Sequence, residues 1–342
     1  MQQEVVIIGA GGWGTALAVL LARKGMRVSL WGRNRALMEE IAQRRENVRY
    51  LPGISLPEEI RPITGDRLDT EGCSGVLLTV PSQGLRRVLR QFRDSLEEPL
   101  LINGAKGLEQ GSMMRLSQVI EEEIPKQRGR VAVLSGPNHA EEVGRGLPAA
   151  SVIACEDQDI AVLARDLLMA PCFRVYTNAD LIGVELAGAL KNVIALAVGI
   201  ADGLGLGDNA KAAIITRGMV EMARLGVRLG ASPLTFTGLS GMGDLFGTCV
   251  SKYSRNTRAG RLLGEGHKLD EVLASTNMVV EGIPTVVAAV ELARKQGVEM
   301  PIASKVYDIL FCGERPEDGV SALMQRGAKC ELDDLMPFID PV

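Results

Sequence analysis

Aromatic side chains are scarce in this chain, at 4% of 342 residues. Stacking platforms for single-stranded nucleic acid need such rings, so that partner class is not expected. Basic charge is not in excess either. Lys and Arg number 38 against 42 Asp and Glu, a net charge of −4, which gives no electrostatic reason to bind nucleic acid or an anionic membrane. Histidine occurs twice, and the six cysteines (Cys73, Cys155, Cys172, Cys249, Cys312, Cys330) form no Cys-x-x-Cys pair. That argues against a metal site and for reduced, mostly buried thiols in a cytoplasmic protein. The start, Met1-Gln2-Gln3-Glu4, has no basic segment and no long apolar core, so no targeting segment is expected.

Apolar residues make up 46% and charged residues 23%, ordinary for a globular protein, and the length suits about two domains. The longest apolar run is 183–200, Gly-Val-Glu-Leu-Ala-Gly-Ala-Leu-Lys-Asn-Val-Ile-Ala-Leu-Ala-Val-Gly-Ile. It approaches membrane-span length. It also holds Glu185, Lys191 and Asn192 and is rich in Ala and Gly, so it reads as a core helix, with no membrane insertion.

Lys191 is the anomaly in that run. Its neighbours at helical spacing are Ala187, Gly188, Ile194 and Ala195, and none can pair with an ammonium. Burying an unpaired charge costs several kcal/mol. Such a lysine must find a distant partner, lose its proton or do chemistry, and desolvation favours a general acid/base. The alternative is a lysine near a helix end that snorkels to solvent.

The first half alternates strand-like runs with helical spacing. Strands are expected at 5–8, 28–31, 76–80, 100–103, 131–135, 151–154 and 173–176, with helices such as 15–24 and 113–123 between them. This α/β alternation predicts a doubly wound, Rossmann-type parallel sheet with helices on both faces. After about Thr177 helical patterns dominate, at 183–201, 209–229, 268–274, 284–296 and 302–311. The expected division is a dinucleotide-binding domain over 1–180 and a mostly α-helical substrate and catalytic domain over 181–342.

The run 5–8 is followed by Gly9-Ala10-Gly11-Gly12-Trp13-Gly14-Thr15, a G-x-G-x-x-G between strand and helix. Gly9 permits the tight turn, Gly11 lets backbone approach a pyrophosphate, and Gly14 allows close helix packing. The helix N-terminus then faces the phosphates. After the second strand comes Gly32-Arg33-Asn34 rather than the acidic residue that accepts from an NAD ribose. Arg33 can meet a 2′-phosphate, which predicts NADP(H) preference with NAD(H) also usable. It can also be an ordinary surface arginine.

Reactive-looking residues sit at strand ends, where ligands bind in open α/β sheets. Lys106, in Gly104-Ala105-Lys106-Gly107, can hold an anion or polarise a carbonyl, unless it is simply solvated. Gly136-Pro137-Asn138-His139 follows another strand. Asn138 and Glu141 resemble a capping pair at a helix start. His139 is a weaker candidate base than Lys191. In the second half, Ser240-Gly241-Met242-Gly243-Asp244 reads as a glycine loop entering a helix on which Asp244 and Thr248 share a face. Ser254 can cap a helix whose first turn carries Arg255, a combination that suits a phosphate or is merely a basic helix start.

Taken together, the chain resembles the soluble bacterial NAD(P)-dependent glycerol-3-phosphate dehydrogenase family over nearly its whole length. The resemblance rests on Gly9–Thr15, Ala105-Lys106-Gly107-Leu108-Glu109, Ser135-Gly136-Pro137, and Gly183-Val184-Glu185-Leu186 through Lys191-Asn192. It continues through Gly203-Leu204-Gly205, Asn209-Ala210-Lys211-Ala212-Ala213, Gly243-Asp244-Leu245 and Ser254-Arg255-Asn256. It implies that Lys191 is the proton donor and acceptor for the C2 hydroxyl. Lys106 is implied to touch substrate and cofactor. Gly136, Asn138, Asp244, Ser254, Arg255 and Asn256 match substrate-binding positions. Gly12, Trp13, Arg33, Tyr50, Ala140, Arg255, Val279 and Glu281 match cofactor-binding positions. Relatives often have Ser or Thr where this chain has Asn138. The implied reaction reduces dihydroxyacetone phosphate, a three-carbon phosphate, to sn-glycerol 3-phosphate for glycerophospholipid synthesis.

Two other readings stand beside it. One is a β-hydroxyacid dehydrogenase-like reductase acting on a small carboxylate. The other is a non-catalytic NADP(H)-binding sensor, against which the presence of both Lys106 and Lys191 argues. The apolar helical second domain could supply a homodimer interface.

Overall fold

A computed structural model describes residues 3–276, 278–328 and 330–331. The described residues form two compact units. The first takes the chain through Ala105 and again over Leu116–Leu181, and the second takes Lys106–Arg115 and the chain from Ile182 onward.

The first unit is built on ten strands: β1 (Glu4–Ile8), β2 (Arg27–Trp31), β3 (Glu46–Asn47), β4 (Leu51–Ser55), β5 (Ile60–Ile63), β6 (Gly75–Leu78), β7 (Leu101–Asn103), β8 (Ala132–Ser135), β9 (Ala149–Ala154) and β10 (Phe173–Asn178). Eight of them make one sheet in the order β10-β9-β8-β7-β6-β1-β2-β5. Val5, Val6, Ile7 and Ile8 of β1 are each 0% exposed. Successive side chains of a strand point to opposite faces, so complete burial means that both faces are covered.

Three features depart from the expected sheet. β9 runs antiparallel to β8, while every other neighbouring pair is parallel. Only a six-residue helix, Ala140–Arg145, lies between β8 and β9. β5 extends the sheet beyond β2, and β3 and β4 pair as a separate antiparallel hairpin. Pro62 lies in β5 and Pro52 in β4. Proline demotes a strand signal in sequence yet is tolerated at a sheet edge.

The second unit is helical. Its helices are Leu181–Gly203 (whose first residue closes the first unit), Gly207–Arg228, Pro233–Thr237, Asp244–Val250, Arg255–Gly264, Leu269–Ala274, Gly282–Gln296, Pro301–Phe311 and Pro316–Met324. The helix Leu181–Gly203 is apolar and long enough to cross a membrane, but 94% of its apolar window is buried inside the protein. It is the core helix, and its Leu186, Leu190 and Ile194 share one cluster with Met222, Phe236 and Leu245. Against it lies Arg255–Gly264 at backbone contact. A Cβ added at Gly199 would come within 2.2 Å of Thr257 O, and one at Gly260 within 2.2 Å of Leu196 O. Glycines on both helices permit that approach, which sets Asn192 beside Asn256 at the start of the partner helix.

Candidate active site

In the first unit the turn from β1 into helix Gly12–Arg23 forms a cradle. Gly9 has φ +125°, and a Cβ there would sit 2.8 Å from the Thr79 backbone. A Cβ on Gly14 would fall 1.9 Å from Gly9 O. Beside Gly11 there is nothing within 4 Å, so the helix start is open to approach. No side chain caps that first turn. The Trp13 indole N–H is buried with no partner among the protein's own atoms. An open helix N-terminus with an orphaned donor fits the anionic diphosphate of a dinucleotide.

The β3–β4 hairpin is tied to this loop. Asn47 Nδ2 donates to Ala10 O at 3.0 Å and to Thr15 Oγ1 at 2.8 Å. Tyr50 sits in its turn, with its N–H donating to Asn47 Oδ1 at 3.3 Å. Arg33 is exposed just beyond β2, and the next residue, Asn34, caps helix Arg35–Arg44 by accepting from Leu37 N–H at 3.1 Å.

Gly136 and Asn138 follow β8, and Ala140 opens helix Ala140–Arg145. The capping expectation for Asn138 fails. His139 occupies the N-cap position, and Asn138 Nδ2 instead donates to Ser151 Oγ on β9 at 2.9 Å. The antiparallel return of β9 supplies that nearer acceptor. The helix packs close, since a Cβ on Gly144 would meet Ile54 Cδ1 at 2.6 Å.

In the second unit Lys191 finds its distant partner. Its Nζ donates to Asp244 Oδ1 at 3.0 Å and to Thr248 Oγ1 at 2.6 Å. Lys106 Nζ donates to the other carboxylate oxygen, Asp244 Oδ2, at 2.7 Å. One buried carboxylate thus holds two ammonium groups. Asp244 begins a helix reached through a wide π-helical turn, Leu239–Gly243. In that turn a Cβ on Gly241 would meet Phe236 O at 2.0 Å, so the glycine lets the chain fold back and aim Asp244 inward. Thr248, one turn on, completes the grip on Lys191.

These contacts shift the charges. Burial pulls Lys106 down to about 8, against the upward pull of Asp244 and with the repulsion of Lys191 adding to the fall. Burial alone would raise the Asp244 carboxyl, but Lys106 and Lys191 overrule it and the net direction is down. Asp244 is therefore an anion at neutral pH.

The helix Arg255–Gly264 starts as the sequence suggests, with Ser254 Oγ accepting from Thr257 N–H at 3.1 Å. Arg255 is exposed, and its Nη1 donates to Val279 O at 2.8 Å. Asn256 is buried. It donates to Asn192 Oδ1 at 2.7 Å and accepts from Gly282 N–H at 2.9 Å. Glu281 precedes that glycine at the N-cap of Gly282–Gln296. Val279 is 42% exposed. Within this unit Lys191, Asp244 and Thr248 form one hydrogen-bonded group, Asn192, Asn256 and the Gly282 N–H a second, and Arg255 with Val279 a third.

Asn192 had no assigned role in the sequence, and neither did Arg115 or Glu185. Arg115 Nη1 meets Glu185 Oε2 at 2.5 Å, with both side chains mostly buried. The signal was present in Glu185, a second charge in the same apolar run as Lys191. Among the described residues no group of three or more His, Cys, Asp or Glu is placed to hold a metal.

A dinucleotide cradle on a predominantly parallel sheet, in a chain whose helical unit holds two lysines on one buried aspartate, is the equipment of a pyridine-nucleotide-dependent dehydrogenase. The profiles of one family cover both units. NAD-dependent glycerol-3-phosphate dehydrogenase N-terminus matches residues 4–161, and the corresponding C-terminus matches 180–321. The chain belongs to this NAD-dependent glycerol-3-phosphate dehydrogenase family. It is 52% identical to the glycerol-3-phosphate dehydrogenase (NAD(P)+) of Moorella thermoacetica over 97% of this chain and 99% of that protein. It is also 52% identical to the enzyme of the same name from Bacillus mycoides, over 96% and 98% respectively. The crystal structure of glycerol-3-phosphate dehydrogenase from Coxiella burnetii superposes with a TM-score of 0.90 at 39% identity, covering 95% of this chain and 99% of that one.

Proposed function

We propose that this protein catalyses reversible hydride transfer between NAD(P)H and dihydroxyacetone phosphate, giving sn-glycerol 3-phosphate. The observation that carries this reading is the buried Asp244 carboxylate shared by Lys106 and Lys191. A dry site with two held ammonium groups suits an oxygen that becomes negative during reaction.

When bound, the nicotinamide supplies the hydride. Gly11, Gly12 and Trp13 would hold the diphosphate at the helix start, with Gly9 and Gly14 shaping the turn. Arg33 would meet a 2′-phosphate, the basis for NADP(H) preference over NAD(H). Tyr50, Ala140, Val279 and Glu281 complete the cofactor contacts in this reading.

Lys191 Nζ gives its proton to the C2 oxygen in reduction and takes it back in oxidation. Thr248 and Asp244 fix its direction, so it need not reorganise as the proton moves. Lys106 polarises the same oxygen. Asp244 keeps the paired cations tolerable in the interior. Ser254, Arg255 and Asn256 grip the phosphate at a capped helix start, and Gly136 and Asn138 line the substrate. Binding energy from that unreactive end positions the carbonyl. The reading places the enzyme in the cytoplasm, at the entry to glycerophospholipid synthesis.

The test is an assay of reduced-nicotinamide oxidation with dihydroxyacetone phosphate, run with NADPH and NADH in parallel and against a panel of short 2- and 3-oxo acids. Turnover of the phosphate with a higher kcat/KM for NADPH is expected. Preferential turnover of an oxo acid would overturn the substrate, and preference for NADH would overturn the role of Arg33.

A further inference from the structure

The segment that carries Lys106 is held at its far end by a charge pair that has no place in the chemistry above. Lys106–Arg115 belongs to the second unit although its flanking chain belongs to the first. It closes on itself: Leu108 and Arg115 form an antiparallel bridge, Met113 N–H donates to Glu109 O at 2.9 Å, and Glu109 N–H donates to Met114 O at 3.1 Å. Leu108 is 0% exposed within the second unit's core. Arg115 then meets Glu185, with side chains 15% and 5% exposed.

Glu185 lies on Leu181–Gly203, the helix that also carries Lys191. The excursion is therefore fastened twice: Lys106 holds the aspartate that holds Lys191, and Arg115 holds the helix of Lys191 itself. A lysine side chain is long and rich in rotamers, so seating its ammonium on one carboxylate oxygen needs a fixed backbone beneath it. A buried arginine–carboxylate pair is weak evidence of added stability, because desolvation offsets much of the attraction. Its value lies in fixing geometry.

We propose that the Arg115–Glu185 ion pair is a positioning device for Lys106, holding the Lys106–Arg115 excursion on the Lys191 helix so that Lys106 stays seated on Asp244. Lys106's part in turnover rests on the function proposed above, whereas its seat can be measured without turnover.

The experiment uses the full chain and reads the pH dependence of Lys106 acylation by mass spectrometry, beside kcat and KM for dihydroxyacetone phosphate. Removing one partner strands a buried charge, so the main variant is the double neutral Arg115→Met/Glu185→Gln, with Arg115→Lys as the conservative control. In the unaltered protein Lys106 should titrate at about 8. In the double variant it should move up by at least about one pH unit as it leaves its seat. Thermal stability should stay near that of the unaltered protein. Arg115→Lys should keep Lys106 near its original value. On the activity side, kcat should fall about tenfold or more, as expected when a catalytic group is misplaced.

A merely structural pair would leave the Lys106 titration where it was in a folded double variant. That result overturns the proposal, as does an Arg115→Lys variant in which Lys106 moves as far as in the double variant. If the unaltered protein showed no turnover of dihydroxyacetone phosphate while the titration shifted as stated, the proposed reaction would fall and the positioning role would stand.

Discussion

Asp244→Asn removes the carboxylate held between the buried Lys191 and the partly buried Lys106. Charges about 3 Å apart at an effective dielectric near 20 attract by ~5 kcal/mol before desolvation is counted. Breaking a buried pair by deleting one partner destabilises by about 3–5 kcal/mol. The protein has an escape, because Lys106 already sits at about 8, well below its ordinary 10.5, even with Asp244 pulling upward. Without that pull it drops further and loses its proton near neutrality. The folded Lys106 binds fewer protons than the unfolded chain between about 8 and 10.5, so its contribution to stability rises with pH across that window and is flat below it. In Asp244→Asn the window should extend downward by more than about one pH unit. The assay is kcat/KM and melting temperature from pH 5.5 to 9, with circular dichroism to show that the fold persists. The expected result is at least ~100-fold lower kcat/KM at neutral pH. The alkaline limb should move to lower pH, and part of the activity should return in acid. An unchanged pH profile with near-normal turnover would refute the shared-carboxylate argument.

Two further outcomes follow from the same geometry. Gly14→Ala places a Cβ 1.9 Å from Gly9 O, so the glycine turn and its helix must part. Overpacking of this kind costs about 1–3 kcal/mol, and isothermal titration should show NADPH affinity at least about tenfold weaker; unaltered affinity would count against the cradle. Glu221 is buried and accepts from Ile302 N–H at 2.7 Å and Ala303 N–H at 3.3 Å at the start of Pro301–Phe311. Burial raises it to about 7 from 4.5, against the pull of those N–H groups, so the folded chain holds more protons across that window and stability falls as pH rises through it. The fall amounts to ~3 kcal/mol. Glu221→Gln should flatten it, its melting temperature gaining on the unaltered protein between pH 5 and 8; parallel curves would show that Glu221 does not titrate there.

Much of the site could be read in the sequence because its signals are local. The glycine turn needs only a strand, a helix and three small residues in fixed order. Ser254 announced its cap, and the i, i+4 spacing of Asp244 and Thr248 proved to be the grip on Lys191. Lys191 itself was conspicuous because its own helix offered no counter-charge. What escaped depended on distant pairing. Strand direction is not written in an apolar run, so the antiparallel β9 and its Ser151, the partner of Asn138, were invisible. Pro62 hid β5. Lys106–Arg115 was read with its chain neighbours, yet it folds with the second unit through Leu108 and Arg115. Asn138 looked like a cap because capping residues are also ordinary long-range donors.

Lys191 moves the proton in the proposed reaction and takes no part in holding the cofactor. Lys191→Ala tests it in one preparation, by NADPH titration and by turnover of dihydroxyacetone phosphate. The account predicts NADPH affinity within about twofold of the unaltered protein and kcat lower by at least ~100-fold. Retained turnover with cofactor bound would contradict it.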